Sequence, residues 1–150
     1  MLIEGKFVIK APIQKVWDHI LEPETLGSCM PGAEKVAKID DITYDAVVKQ
    51  KVGPIKVTLK FRNVLTKVEA PNHLELEGEG EDITKLGHFK QKTVVDLREN
   101  ANGEVEVSYQ SNVNIVGKLA MFGDRIMKSK AKDVEKEFTR NLQEKLKALA

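Results

Sequence analysis

The chain has 150 residues, enough for one domain with its own core and too few to suggest two. Apolar residues make up 41% and charged residues 31%, with a formal net charge of +1, so composition gives no case for a nucleic-acid partner. One cysteine excludes an internal disulfide, and no apolar run approaches the ~20 residues of a membrane span.

Ile3 to Lys10 alternates, with Ile3, Phe7 and Ile9 on one face and Glu4, Lys6 and Lys10 on the other. The pattern predicts a strand with one wet face. The N-terminus lacks the basic-then-apolar layout of a signal peptide, and with the lone cysteine this points to the cytoplasm. Ala11-Pro12 closes the strand, and Pro12 suits the first turn of a helix. Ile13, Val16, Trp17, Ile20 and Leu21 then recur at helical spacing until Pro23 breaks the pattern, and a short turn, Glu24 to Gly27, follows.

Ser28 to Gly32 reads as a turn. Strands are predicted at about 33–39, 43–51 and 54–68, with turns at Asp40-Asp41 and Gly53-Pro54. Pro71-Asn72 opens the next turn, and strands follow at about 73–81, 87–98 and 104–115, with Glu99 to Gly103 as a hairpin loop. Gly117 separates the last strand from a long amphipathic helix, Leu119 to Ala150. Its apolar stripe is Met127, Ala131, Val134, Phe138, Leu142, Leu146 and Leu149. Such a helix would approach ~45 Å in length. No second long helix exists to cover its stripe, so the partner must be a sheet. Successive strands with short turns make that sheet antiparallel, and the class is α+β.

A long helix across a curved sheet can enclose a space, and one strand has the pattern to leave room. In Leu74 to Glu81, Glu75, Glu77, Glu79 and Glu81 share the solvent face, while Leu74, Leu76, Gly78 and Gly80 face inward. Two inward glycines remove side-chain volume; either they line a cavity or something packs closely against them. On the cavity reading, Gly80→Leu should fill space and leave the fold intact. Neighbouring inward rows mix apolar Phe89, Val95, Leu97, Val107, Tyr109, Val113 and Ile115 with Gln91, Thr93 and Ser111. Tyr44, Ala46, Val48 and Gln50 form another row. An apolar wall with a few polar groups is the character of a small-molecule pocket.

Catalysis has little to draw on. His19, His73 and His88 are scattered, without metal-ligand spacing, so neither a metal nor another cofactor is expected. His88, at a strand start, is the best placed for a cavity mouth; His19 belongs at the surface or its boundary, and His73 is expected to be exposed. Cys29 reads as a buried inert thiol. The long helix carries more bases than acids, read first as a solvated face and second as a surface for anionic lipid or an acidic protein.

The whole order resembles the START-like superfamily of helix-grip folds, and within it the G-subunit family of carbon monoxide dehydrogenase. The resemblance rests on Gly5-Lys6-Phe7, Ala11-Pro12, Val16-Trp17, Cys29-Met30-Pro31-Gly32-Ala33, Val52-Gly53-Pro54-Ile55, Gly78-Glu79-Gly80 and Val116 to Gly123, nearly end to end. It implies a single domain over residues 1–150. Its seven-stranded antiparallel sheet would wrap around the C-terminal helix, with two short helices after the first strand and an apolar cavity between sheet and helix. It also implies association with a molybdenum hydroxylase of the carbon monoxide dehydrogenase type, and either quinone handling or recruitment of the enzyme to the membrane. Many relatives continue into a membrane-attaching tail; this chain stops at Ala150, which argues against an anchor and leaves peripheral membrane contact as the expectation.

The preferred reading is therefore non-catalytic binding of an apolar molecule, a quinone or lipid. Met30, Tyr44, Gly78, Gly80, Phe89, Gln91, Tyr109, Leu119, Phe122, Gly123, Ile126 and Met127 are the candidate lining residues. The segment Leu119–Met127 would form one end of the pocket. The alternatives are a cyclase- or hydratase-type enzyme using Tyr44, His88 or Tyr109 in the same cavity, and a protein-binding adaptor.

Overall fold

The computed structural model describes residues 1–149 as an α+β fold. The elements run β1 (Leu2–Ile9), α1 (Ile13–Ile20), α2 (Pro23–Cys29), β2 (Ala33–Lys38), β3 (Thr43–Val52), β4 (Ile55–Glu69), β5 (His73–Asp82), β6 (Gly87–Glu99), β7 (Val105–Gly117) and α3 (Gly123–Ala148). The strands form one seven-stranded antiparallel sheet in the order β1-β7-β6-β5-β4-β3-β2. Consecutive strands from β2 to β7 are simple hairpins, but β1 pairs with β7, with Leu2 opposite Asn112 and Ile9 opposite Val105. The β3–β4 turn is the two-residue Gly53-Pro54, and its left-handed backbone at Gly53 (φ 59°) is why glycine stands there.

Period-two patterning sorts the strands into a wet face and a core face. Opposite charges pair across the outer face: Lys92 lies 3.5 Å from Glu77, and Lys90 lies 3.9 Å from Glu79. Arg62 donates to both carboxylate oxygens of Asp45 at 2.6 and 2.9 Å. Glu81 accepts from Lys85 at 2.6 Å. The predicted row of exposed glutamates is thus one side of a charge-paired surface.

Three boundaries differ from the sequence reading. Pro23 does not merely stop α1; it sits in the first turn of α2, where its missing N–H costs nothing, and α2 continues through Ser28 and Cys29. The long C-terminal element begins as a separate 3-10 turn, Lys118–Phe122, and left-handed backbone at Gly123 (φ 79°) divides it from α3. α3 is then 26 residues, or ~39 Å. At its far end Leu149 is exposed rather than part of the buried stripe, and Ala150 lies outside the described residues.

The inward glycines of β5 serve close packing rather than open space. A methyl group on Gly80 would lie 2.4 Å from both the Lys60 carbonyl oxygen and Phe61 Cβ. At Gly78 it would lie 2.0 Å from Asn63 Oδ1. Directly opposed residues normally hold their Cβ atoms ~4.5–5.5 Å apart. At Gly80 the obstacle is the β4 backbone itself, so that position must lack a Cβ, whereas at Gly78 it is the Asn63 side-chain amide. Asp82 then closes β5. It is buried and accepts from the backbone N–H of Thr58 (2.9 Å) and Thr84 (2.8 Å) and from the Thr84 hydroxyl. Burial alone would push its carboxyl up, but these donors hold it below the usual carboxylate range.

Two outcomes follow. Gly80→Leu cannot fill vacant space as the sequence reading expected. It should cost at least the ~1–3 kcal/mol of overpacking in chemical denaturation, because the obstacle is backbone. His73, half-buried on the outer face, places Nδ1 2.5 Å from Asp96 and Nε2 2.7 Å from Glu75. Its pKa is raised, first by the Asp96 bond and then by Glu75. A raised native pKa adds stability below the unfolded value of ~6.5 that fades as pH climbs through the native one. Replacing His73 with Gln should therefore lower the melting temperature near pH ~6 and leave it nearly unchanged near pH ~9, by a modest amount because the site is solvent-screened.

Candidate functional site: a polar belt between two apolar clusters

The inner face of the sheet and α3 enclose two separate apolar clusters. The first joins Ile9, Trp17, Tyr44, Leu65, Leu97, Val107, Phe138, Leu142 and Leu146, where α1, α2 and the C-terminal half of α3 meet the sheet. The second joins Val52, Val57 and Leu119 with Leu59, Leu86, Ile115, Phe122 and Met127, at the start of α3. The α3 backbone comes closest to β1, α2 and β3.

Between the clusters the cross-strand register lays down a polar belt. Tyr44, Asn63, Gly78, Gln91 and Val113 fall in one row across β3, β4, β5, β6 and β7. Leu65, Leu76, Thr93 and Ser111 fall in the next. The polar members are joined: Ser111 Oγ donates to Gln91 Oε1 at 3.1 Å, and Thr93 Oγ1 lies 2.8 Å from Ser111 Oγ. Gln91 Nε2 donates to Asn63 Oδ1 at 3.2 Å. In this arrangement each amide carbonyl oxygen accepts a hydrogen bond. The arrangement leaves the Asn63 amide nitrogen and one N–H of Gln91 without an acceptor among the described residues. Both side chains remain half-buried, as do inward Leu59, Phe61, Leu76, Phe89 and Val113. These groups face the helix without being sealed by it.

A second inward polar group comes from the helix. The Tyr109 hydroxyl donates to Glu135 Oε1 at 2.7 Å, and the Glu135 side chain keeps only 9% exposure. Gly5 makes room for the pair, since a methyl there would lie 2.1 Å from the Glu135 oxygen. Burial, and then the bond to Glu135, push the Tyr109 phenol well above its ordinary value. The contact ties the middle of α3 to β7 over the edge strand β1.

The predicted lining residues divide. Gln91 lies on the belt and Phe89 in the row beside it, opposite Gly80 and Ile115, while Phe122 and Met127 join the second cluster with buried Leu119, which rests on Gly87. Gly123 and Met127 border a cleft with Met1 and Val113 to Ile115; Ile126 borders another with Lys51, Val52, Gly53 and Arg125. Met30 packs against the first cluster. Tyr44 is buried there, its hydroxyl donating to the Leu21 carbonyl at 2.9 Å. Gly78 and Gly80 lie beneath Asn63 and Phe61, as described. His88 is a correction: it pairs across the sheet with Glu81 and Val116, on the outer face, because Phe89 takes the inward position. His19 sits at the boundary, and Cys29 is a buried free thiol. Tyr44, His88 and Tyr109 therefore do not converge.

Sequence reasoning misses Asn63 and Glu135. Asn63 becomes significant only once the register sets it against Gly78. Glu135 has a readable signal, four residues after Ala131 and three before Phe138, on the apolar stripe itself. Among the described residues no cluster of three or more His, Cys, Asp or Glu side chains is placed to hold a metal, and no helix is long and apolar enough to cross a membrane.

An antiparallel sheet gripping a long C-terminal helix is a START-like fold. A conserved protein from Geobacillus kaustophilus superposes with a TM-score of 0.89 at 22% identity, over 99% of this chain and 96% of that one. A START superfamily protein from Mycobacterium smegmatis gives 0.72 at 10% identity, over 99% of each chain. A protein from Thermus thermophilus gives 0.72 at 11%, over 100% of this chain and 99% of that one. The profile of the CoxG family, the G-subunit of carbon monoxide dehydrogenase, matches residues 5–147, and the chain belongs to that family. No curated protein matches the sequence.

The Tyr109–Glu135 contact is testable apart from any ligand. Tyr109→Phe removes the donor and leaves a largely buried carboxylate short of one bond, so urea denaturation should show a loss of about 1–3 kcal/mol.

Proposed function

We propose that this protein binds an apolar molecule carrying a neutral carbonyl group, of the quinone or lipid-ester class, between the sheet and α3. We further propose that it does so as a non-catalytic accessory to a molybdenum hydroxylase of the carbon monoxide dehydrogenase type. The ligand reading rests on one observation: two apolar clusters flank a belt whose free groups are N–H donors at Asn63 and Gln91. Such a belt suits a hydrogen-bond acceptor and gives no counter-charge for an anion, while the half-buried Phe61, Phe89 and Leu76 offer apolar contact on either side. The enzyme-partner reading rests on family membership.

Native mass spectrometry with organic extraction of freshly purified protein should release an apolar, carbonyl-bearing molecule. A short-chain quinone should bind in calorimetry. The near-isosteric double change Asn63→Leu with Gln91→Met should weaken it about tenfold, the worth of one to two hydrogen bonds, while sparing a pure hydrocarbon probe. If quinone binding survives that change, the carbonyl anchor is wrong; if neither probe binds, the ligand reading itself fails. Turnover of any substrate that vanishes in Tyr109→Phe would favour an enzyme instead, since Tyr109 and Glu135 are an inward acid–base pair in direct contact.

A further inference from the structure

Glu135 carries an acceptor that nothing else in the protein uses. It stands on the apolar stripe of α3, between Ala131 and Phe138, and its side chain keeps only 9% exposure. Oε1 accepts from the Tyr109 hydroxyl at 2.7 Å. Oε2 accepts no hydrogen bond among the described residues. Its ion-pair partner Lys132 is exposed, and the Nζ stops 3.9 Å away, beyond hydrogen-bond reach. Asp82, the other carboxylate so far removed from water, takes donors on both oxygens. Among the described residues the one fully enclosed side-chain polar atom without a partner is Thr25 Oγ1, so Glu135 Oε2 borders open space rather than packed atoms.

A tie between β7 and α3 would need Oε1 alone. A carboxylate withdrawn from water with one oxygen unbonded is unfavourable unless a further donor reaches it. The space between sheet and helix therefore has two polar poles of opposite kind: N–H donors at Asn63 and Gln91, and an acceptor at Glu135. Gln91 lies opposite Val113 on β7, and Tyr109, which marks the second pole, stands four residues back along that strand. At the rise of a strand the poles are ~13 Å apart. Leu65, Leu74, Leu76 and Val95 occupy the rows between and beside them, and the hydroxyls of Thr93 and Ser111 are already engaged with each other.

We propose that Glu135 is a second ligand subsite, which accepts a hydrogen bond from a hydroxyl group lying ~13 Å from the carbonyl held at Asn63 and Gln91. The assignment rests on the apolar-ligand reading above and narrows it to a hydroxylated long-chain ester. A quinone carries its oxygens on one ring, too close together to meet both poles. A neutral hydroxyl suits the site better than a cationic group, because Lys132 already stands beside the free oxygen and would repel it. A hydroxyl donating to a carboxylate also makes one of the stronger hydrogen bonds available.

Three esters test this by displacement of a hydrophobic dye from the full chain. Methyl ricinoleate carries a hydroxyl at about the required distance from its carbonyl. Methyl oleate lacks the hydroxyl, and the O-methyl ether of methyl ricinoleate can accept there but cannot donate. The unmodified protein should bind methyl ricinoleate about tenfold or more tighter than either of the others. Glu135→Gln keeps an acceptor for Tyr109 but presents an N–H in place of Oε2, so the preference for hydroxyl over ether should vanish. A purely structural role for Glu135 would instead weaken all three esters together. Asn63→Leu with Gln91→Met should do that and leave the hydroxyl preference standing. In the unmodified protein the Gly5 amide NMR signal, beside the Glu135 carboxylate, should shift with methyl ricinoleate and not with methyl oleate. This measurement decides the matter even if Glu135→Gln does not fold. Equal affinity for the three esters, a hydroxyl preference that survives Glu135→Gln, or an unchanged Gly5 signal overturns the subsite and leaves the ligand reading intact. If none of the esters binds, both fail.

Discussion

The fold depends on how tightly a seven-stranded sheet can curl around one helix. α3 carries an apolar stripe and no other long helix exists among the described residues to cover it, so the sheet must bend toward it. Bending crowds side chains on the inner face. The crowding is relieved where the inner position lacks a Cβ: Gly80 against the β4 backbone, Gly78 against Asn63, and Gly5 beneath the Tyr109–Glu135 contact. At Gly80 glycine lets β5 close on the β4 backbone, and the curl of the sheet accompanies the burial of Phe138, Leu142 and Leu146.

The same curvature sets where polar groups go. With both apolar clusters anchored at the ends of α3, the row through Asn63 and Gln91 falls in the middle, where the helix backbone approaches the strands least. Buried amides in a tight core would be costly unless fully bonded. In this position they are bonded to each other and remain half-buried.

Much of this is legible in the sequence. Alternation marks most of the strands, turn residues mark the hairpins, and the 3.6-residue stripe marks α3. What is not legible has identifiable reasons. The parity of β5 places Gly78 and Gly80 inward, but volume is a property of two strands, and only the register shows that β4 fills the space. A position at a strand start suggests a cavity mouth for His88, whereas the pleat set by Phe89 decides its face. The residue at 135 looks like part of a charged helix surface, because a lone acid in an apolar stripe reads as noise until its partner Tyr109 is seen. The break at Gly123 is hidden because the apolar spacing runs on across it.

The pairing of the first strand with the last has a bearing on synthesis. Leu2 waits for Asn112, so at ~5–20 residues per second the N-terminal strand emerges and stays without its neighbour for ~5–20 s. Contacts so distant in sequence also make closure the slow step of folding, after the local hairpins from β2 to β7 have formed. During that interval an unpaired strand invites association between nascent chains. Glu4 and Lys6 on the wet face of β1, with Lys10 just beyond its end, supply charge to the one strand that must spend longest alone.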